Sequence, residues 1–218
     1  MRVGIIGSGA VARALAAGLL DQGHQVKISS RNTSAPALEK WQQEAGREAS
    51  LGSFSEAAEF GEIVFVATKG TATDKALELA GPGSLSGKVV VDVTNPLTMN
   101  ADKQLALKHL PDGSLGETVQ RLLPNSRVVK AFNTVNAAHM VKPQFPGGAP
   151  EMFFCGNDAG AKAVVAEILT AFGWKPVDIG RIDGARFLEP LSMLGIRMAM
   201  NSGNWDYVFR VVYQDKKA

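Results

Sequence analysis

The first twelve residues, MRVGII at 1–6 and GSGAVA at 7–12, decide the fold. The apolar run at 1–6 predicts a buried strand, and Arg13–Asp21 continues with apolar residues at helical spacing. A strand, a tight glycine turn and a helix in this order form the corner at which a dinucleotide fold binds phosphate. The sequence therefore predicts a dinucleotide-binding domain that opens with this turn.

The residues of the glycine turn suit phosphate binding for separate physical reasons. Gly7 allows the chain to turn sharply off the strand, and Gly9 allows the backbone to approach a pyrophosphate. Ala12 stands where a third glycine is usual, and its methyl group is small enough for close packing of helix on strand. The first N–H groups of the helix and its dipole attract the phosphates. We therefore expect cofactor contacts at Gly7, Ser8, Gly9, Ala10, Val11 and Ala12.

The glycine motif alone is also compatible with an ordinary turn, so its surroundings matter. A second strand, Gln25–Ser30, follows the predicted helix directly. Because the motif then lies between two strands and opens a helix, nucleotide binding is the favoured interpretation.

The end of the second predicted strand indicates which dinucleotide is bound. NAD-specific folds place Asp or Glu about 20 residues past the glycines to hold the ribose hydroxyls. This chain has SSRN at 29–32 and no acidic residue between positions 23 and 38. A carboxylate would repel a ribose phosphate, whereas Arg31 can bind it bidentately and Ser30 can add a hydrogen bond. A solvated arginine is the alternative, but the missing acid favours NADP, with Ser30, Arg31 and Asn32 as candidates.

Composition excludes several functional classes. The 218 residues suffice for one large α/β domain, or for one with a small appendage. The formal net charge of +2, with scattered basic residues, argues against partners such as nucleic acid or an anionic membrane. No apolar run approaches the ~18 residues that span a bilayer, and the N-terminus is a predicted strand rather than a signal peptide. A single cysteine and three separated histidines argue against an internal disulfide and a metal site, and fit a cytoplasmic location.

Apolar strand patterns alternate with helical ones along the rest of the chain. EIVFVA at 62–67 and KVVVDV at 88–93 are continuous apolar runs, typical of parallel strands buried on both faces. This alternation predicts an α/β fold with a doubly wound parallel sheet of the Rossmann type over residues 1–180. Residues 181–218 are predicted to form a small C-terminal αβ or helical extension. Further strands are predicted at 49–52, 127–132, 151–155 and 175–179, helices at 37–45, 53–61, 71–80 and 159–172, and one or two helices within a less regular stretch at 97–123.

The segment Ala185–Met200 is long, mostly apolar and rich in Met and Leu. Leu191, Leu194 and Met198 recur at roughly helical spacing. Methionine usually fills gaps in packing, so we expect this segment to face the sheet or a second subunit rather than the cofactor. Packing in the core of one chain and an interface between two copies of the chain, a homodimer, both fit this pattern.

In an open α/β sheet the ligand lies outside the carboxyl ends of the strands. The later strand ends carry small or hydrogen-bonding residues, which suit ribose, phosphate and the nicotinamide amide. Lys69 is equally compatible with phosphate binding and with a solvated surface position. Asp92 precedes the end of its strand and is interpreted as a partner of nearby backbone. The candidates at these strand ends are Ala67, Thr68, Lys69, Asn95, Pro96, Asn133 and Thr134.

The sequence offers no evident catalytic side chain. It contains no Ser-His-Asp order, nucleophile elbow, metalloprotease motif or paired carboxylates. A carbonyl reductase generally needs a proton donor beside its substrate, yet Tyr207 and Tyr213 lie far towards the C-terminus and His139 is the only histidine near the predicted cleft. Hydride transfer from NADPH to a flavin-like ring needs mainly stacking and orientation. The missing acid or base therefore favours a flavin-type acceptor.

With these residues identified, the chain resembles the NADP-dependent deazaflavin (coenzyme F420) oxidoreductases. It is also similar to the cytoplasmic oxidoreductase domain of the Steap metalloreductases. The resemblance covers most of the chain and is more specific than the glycine motif alone. It is carried by six blocks in one order: VGIIGSGAVARALA at 3–16, SSRN at 29–32, VDVTNP at 91–96, VVKAFNT at 128–134, CGND at 155–158 and PVDIG at 176–180.

The resemblance implies an NADP-binding oxidoreductase whose glycine loop and Ser-Arg pair hold the cofactor. Members use the ends of later strands, which match Ala131 and Asn133-Thr134 here, to place the nicotinamide against a second ring. They commonly dimerise through C-terminal helices, which suits 185–200. The Steap proteins continue into a heme-bearing transmembrane domain, so the resemblance does not by itself imply membrane electron transfer or metal reduction. No stretch matches the loop that holds the deazaflavin in the archaeal enzymes, and Cys155 is interpreted as a small buried apolar residue.

Three functional hypotheses follow from the sequence. The favoured one is an enzyme that transfers hydride between NADP(H) and a ring acceptor such as a deazaflavin, FMN or FAD. The second is an NADPH-dependent reductase of a small carbonyl or imine, although such enzymes carry a longer helical C-terminal region than the residues after Ile179. The third is a non-enzymatic NADPH sensor that regulates a partner.

Overall fold

A computed structural model describes residues 1–111 and 113–214 of the chain. Within these residues, eight strands form one sheet in the order β10-β9-β8-β5-β4-β1-β2-β3, and two short strands form a separate hairpin. The strands are β1 (Arg2–Ile6), β2 (Gln25–Ser29), β3 (Ala49–Gly52), β4 (Ile63–Val66), β5 (Val89–Asp92), β6 (Leu97–Met99), β7 (Leu105–Leu107), β8 (Arg127–Lys130), β9 (Glu151–Gly156) and β10 (Lys175–Asp178). The helices are α1 (Ala10–Asp21), α2 (Pro36–Ala45), α3 (Phe54–Phe60), α4 (Thr73–Ala80), α5 (Leu115–Leu122), α6 (Ala159–Ala171) and α7 (Ala185–Ser202).

Strand side chains alternate between two hydrophobic cores, one on each face of the sheet. Val3 and Ile5 of β1 point into the core that α1, α2 and α6 cover. Ile6 and Val66 point into the opposite core, which is covered by α3, α4, α5 and α7. Because successive residues of a strand face opposite sides, a continuous apolar run is needed where both faces are covered. This three-layer arrangement confirms the predicted α/β doubly wound fold.

Six strands are parallel and follow the order of a nucleotide-binding sheet, β3-β2-β1-β4-β5-β8. The chain moves outward from β1 in one direction and then returns to extend the sheet on the other side of β1. The strand order therefore reverses between β1 and β4, and ligands bind at such a reversal, outside the carboxyl ends of the strands.

The predicted parallel sheet is confirmed for six strands, whereas the last two strands run in the opposite direction. β9 pairs with β8 in antiparallel fashion, with Val129 opposite Gly156 and Lys130 opposite Cys155, while β10 is parallel to β9. The connection over 131–150 contains one short 3-10 turn, Ala137–His139, and no α-helix. A parallel return normally needs a crossover helix, so a connection without one turns back at the same edge of the sheet.

The stretch at 97–123 contains one α-helix, as expected, and also a hairpin that the sequence did not indicate. β6 and β7 pair antiparallel, with Thr98 opposite Ala106. Each strand has only three residues, and the turn between them contains no glycine, so neither the strand pattern nor the turn was recognisable. Residue 112 lies outside the described residues.

The predicted extension at 181–218 consists mainly of α7, and its last four positions, 215–218, lie outside the described residues. Helix α7 continues through Pro190 and packs Ala185 and Leu188 into the core shared with α4 and α5. This helix is about as long as a membrane span, but it is not apolar enough to be one. In the part of the chain that the structure describes, no helix combines the length and apolar character that crossing a membrane requires.

Candidate functional site

Two adjoining clefts lie along the carboxyl ends of the parallel strands. The first, called here the glycine-turn cleft, has a volume of about 480 Å³ and runs from Gly7–Val11 to Ser29–Arg31. The second, called the Thr94 cleft, has a volume of about 350 Å³ and is lined by Gly70, Thr71, Leu97 and the segment 93–95. Both clefts are also lined by the same four residues, Val11, Ala67, Thr68 and Lys69. The ends of β1, β2, β4 and β5, which were named from the sequence, thus border one continuous depression.

The turn at Gly7 is fixed by the neighbouring strands. Its φ of +131° is a conformation that residues with a side chain rarely adopt, and a Cβ there would lie 2.5 Å from the carbonyl oxygen of Ala67. The N–H of Gly7 donates to Oγ of buried Ser29 at 3.2 Å, and that hydroxyl donates to the carbonyl of Ile5 at 2.9 Å. The ends of β1, β2 and β4 therefore meet at a point where only glycine fits.

Gly9 has a different role, because its backbone is not strained. It is the N-cap of α1 with φ −73°, and a Cβ built on it would meet no atom within 4 Å. No side chain caps the first turn of α1, and no acidic residue lies in that turn. Open space beside a helix N-terminus with free N–H groups is the environment in which a pyrophosphate binds. The residues present here fit the phosphates of a dinucleotide.

The loop after β2 is ordered by its own short side chains. Ser30 Oγ accepts from the N–H of Asn32 at 3.1 Å, and Asn32 Oδ1 accepts from the N–H of Ser34 at 3.1 Å. Arg31 is exposed at the cleft, and within 1–111 and 113–214 its guanidinium has no hydrogen-bond or ion-pair partner. The loop therefore presents Ser30 and Arg31 to the cleft, whereas Asn32 shapes the turn and does not line it.

The far wall of the glycine-turn cleft was not identified from the sequence. In the described part of the chain, no strand end contributes to it. Its side chains come from α3, from α4 and from the turn before α4, and they are Phe54, Ala72, Lys75, Ala76 and Leu79. Leu79 remains 46% exposed at the rim, and Lys75 donates to Glu78 at 2.8 Å. An apolar wall of this kind suits a flat aromatic base such as adenine. Identifying these residues from the sequence would have required knowing how α4 packs against α3.

The remaining predicted contact residues lie deeper than expected. Ala12, Ala131, Asn133 and Thr134 are almost fully buried, and none of them lines either cleft. Ala12 packs α1 on the sheet, as the small-residue argument predicts. Pro96 is also buried and lines a separate depression beside α7. These five residues support the site from behind.

Two asparagines join the ends of β5 and β8 at the Thr94 cleft. Asn95 Nδ2 donates to the carbonyl of Asn133 at 2.7 Å, and Asn133 Nδ2 donates to Asn95 Oδ1 at 3.0 Å. Asn133 also donates to the carbonyl of Leu188 in α7 at 3.0 Å. Asn95 therefore lines the cleft, and Asn133 connects Asn95 to helix α7.

Among the described residues, the titratable side chains that line the two clefts are all basic: Arg31, Lys69 and Lys75. His139 pairs with Asp206 at 2.7 Å and lines neither cleft. Cys155 is buried, and desolvation raises the pKa of its thiol to about 12, so it stays protonated and packs as an apolar group. Among the described residues, no group of three or more His, Cys, Asp or Glu could hold a metal ion.

Comparison with known proteins agrees with this geometry. The model of the family described as NADP oxidoreductase, coenzyme F420-dependent, matches residues 2–96. A crystal structure from Arthrobacter sp. FB24, assigned as an F420-dependent NADP reductase, superposes with a TM-score of 0.92 and 36% identity, covering 98% of this chain and all of that one.

Two curated relatives are matched over only part of their own length. Metalloreductase STEAP3 of Rattus norvegicus is 35% identical over 88% of this chain and 37% of its own length. F420-dependent NADP reductase of Methanocaldococcus jannaschii is 36% identical over half of each protein. The chain thus spans half or less of these relatives. Because the Arthrobacter protein is 36% identical and is covered along its whole length, the chain belongs to the family of coenzyme F420-dependent NADP oxidoreductases.

Proposed function

We propose that this chain transfers hydride between NADP(H) and the ring of a deazaflavin or flavin. One observation carries the choice of acceptor. The Thr94 cleft, where a second ring would meet the nicotinamide, is lined by apolar and neutral polar side chains, with Lys69 as its one titratable lining residue. Hydride transfer between two rings requires stacking and orientation rather than an acid or base.

In this proposal the cofactor extends along both clefts. The helix N-terminus at Gly9 binds the pyrophosphate, Ser30 and Arg31 bind the ribose phosphate, and the nicotinamide lies towards Thr94 and Asn95. The bound NADPH supplies the hydride. The chain's own residues neutralise the phosphates, hold the ring in position and exclude water from it.

The names of two relatives support a deazaflavin over other rings. The Arthrobacter and Methanocaldococcus proteins are both named for coenzyme F420, and the first matches this chain along its whole length. Lys69 is compatible with a competing function, the reduction of a carbonyl or imine, because its ammonium group in the Thr94 cleft could donate the proton that this reaction needs. The sensor hypothesis requires that NADPH binds without reacting. The cytoplasmic location stays a prediction.

Anaerobic oxidation of NADPH, followed at 340 nm, distinguishes these three functions. We expect turnover when the purified protein is offered coenzyme F420, FMN or FAD separately, with a kcat/KM for NADH at least tenfold lower. Turnover only with ketones or imines would contradict the ring acceptor and support a reductase of small carbonyls or imines. Tight binding of NADPH with no turnover on any acceptor would support the sensor.

Arg31→Ala tests the assignment of the ribose phosphate. The variant should weaken NADPH binding by roughly 1.5–3 kcal/mol, the contribution of a hydrogen bond to a charged group, and leave NADH binding nearly unchanged. Arg47→Ala is the matched control, because Arg47 is an exposed arginine that lines neither cleft. Titration calorimetry with both nucleotides gives the comparison, and equal losses for NADPH and NADH would contradict the assignment.

Gly9→Ala tests the pyrophosphate position separately from folding. The added methyl group meets no protein atom, so the melting temperature should stay within about 2 °C of the parent, while NADPH binding falls at least tenfold. Gly83→Ala is the control, since its Cβ also meets no atom within 4 Å and Gly83 lines neither cleft. If Gly9→Ala binds NADPH as the parent does, the pyrophosphate does not lie there.

The proposal includes a homodimer formed through α7. Phe187, Leu191, Leu194 and Met198 form one stripe along this helix, and Phe187 is 73% exposed. A contiguous exposed apolar stripe is typical of a protein interface. The other face of the helix is buried against the sheet through Leu188.

Leu194→Glu should convert the dimer to a monomer, because a charge would be buried at the interface. Light scattering after size-exclusion chromatography should give twice the 23.1 kDa chain mass for the parent and a single chain mass for the variant. Leu79→Glu, at a comparably exposed leucine on α4, should remain dimeric. A parent protein of single-chain mass would show the dimer proposal to be wrong.

A further inference from the structure

A buried ionic network lies directly behind the Thr94 cleft. Lys130 of β8, Asp92 of β5 and Glu189 of α7 are almost completely excluded from solvent. Lys130 Nζ lies 2.9 Å from Asp92 Oδ2 and 2.8 Å from Glu189 Oε1. It also donates to the carbonyl oxygen of Thr94 at 2.7 Å. All three ammonium protons therefore have acceptors.

Burial alone would lower the pKa of Lys130, but the attraction of Asp92 and Glu189 outweighs it, so the pKa is raised and the ammonium stays charged. Apolar residues of similar volume often stabilise a protein as well as a buried ionic network does, so stability alone does not explain why these three positions are charged. The network therefore calls for a role beyond holding the fold together.

Thr94 is the cleft residue that this network holds. Its N–H donates to Asp92 Oδ1 at 2.9 Å, and its hydroxyl donates to the same oxygen at 2.6 Å. Its carbonyl accepts from Lys130. Every polar atom of Thr94 is thus bound by the Lys130–Asp92 pair, although Thr94 itself lines the cleft.

Glu189 connects the same pair to two helices. Its carboxylate accepts from the N–H groups of Leu115 and Gly116, at the start of α5, each at 3.0 Å. The negative charge of this carboxylate is stabilised both by the N-terminus of α5 and by the ammonium group of Lys130. Among the described residues, no hydrogen bond joins Glu189 to Thr94, so removing its charge should leave the hydrogen bonds to Thr94 in place.

From this geometry we propose that Lys130 is a positioning residue, which with Asp92 fixes Thr94 as the wall against which the reacting ring lies. The inference rests on the proposed function, because it assigns the Thr94 cleft to the nicotinamide end of the cofactor. Lys130 touches neither cofactor nor substrate in this account. Its effect is transmitted through the backbone carbonyl of Thr94.

Lys130→Met alone would leave two carboxylates buried without a counterion and could prevent folding. The informative variant is therefore the triple, Lys130→Met with Asp92→Asn and Glu189→Gln, which removes all three charges at nearly constant volume. Met cannot donate to the carbonyl oxygen of Thr94, so the contact from Lys130 to Thr94 is lost without leaving an unpaired charge. Glu189→Gln alone is the control, since it keeps Lys130, Asp92 and their contacts with Thr94.

Each variant is measured for kcat with the acceptor that the parent reduces, and for affinity towards NADPH and 2′,5′-ADP, which lacks the nicotinamide. In the triple variant we expect kcat to fall at least tenfold while 2′,5′-ADP binding stays within twofold. The control should keep kcat within threefold. A triple variant with parental kcat, or a control that loses as much as the triple, would overturn the positioning role.

The affinity measurements also separate this inference from the proposed function. If the parent protein reduces no acceptor, the proposed function fails, and the ratio of NADPH to 2′,5′-ADP affinity decides the positioning role alone. We then expect the triple variant to lower NADPH affinity at least tenfold more than 2′,5′-ADP affinity. Equal changes for the two ligands would overturn the inference without any measurement of turnover.

Discussion

The meeting of three strand ends at Gly7 is the constraint on which the rest of the site depends. The turn cannot accept a side chain, because the carbonyl of Ala67 lies where a Cβ would be. Ser29 closes it from the other side through hydrogen bonds to Gly7 and Ile5. This contact directs α1 away from β1 with its N-terminus open and uncapped. The proposed phosphate site, the Arg31 loop and the Thr94 cleft are then all adjacent to one turn.

Much of this arrangement could be predicted from the sequence, because the signals are local. The glycine spacing, the missing acid after β2 and the continuous apolar strands each reflect a requirement of a few neighbouring residues. The strand ends were also predictable as a group, since parallel strands place their carboxyl ends at one edge of the sheet. Family membership supports NADP as the nucleotide, as the Ser30-Arg31 pair had indicated.

The rest could not be predicted, because it depends on contacts between distant segments. The apolar pattern of β9 is the same for a parallel and an antiparallel strand. Its direction could therefore not be predicted without knowing the course of the connection over 131–150. Burial of Asn133 depends on α7, where it bonds to Leu188, and burial of Thr134 depends on β9, where its hydroxyl lies 3.9 Å from Met152 Sδ. Asp92, Lys130 and Glu189 come from three separate segments. The charged residues within VVVDV and RVVKAF were a usable signal, since an isolated charge in a buried strand needs a partner.

A crystal structure of the protein with bound NADPH is the most direct test of the central claim that one cofactor occupies both clefts. The account predicts the pyrophosphate against the first turn of α1, the ribose phosphate in contact with Arg31, and the nicotinamide within van der Waals distance of Thr94 or Asn95. A cofactor bound with the nicotinamide at the wall formed by Phe54 and Leu79, or bound outside both clefts, would contradict it.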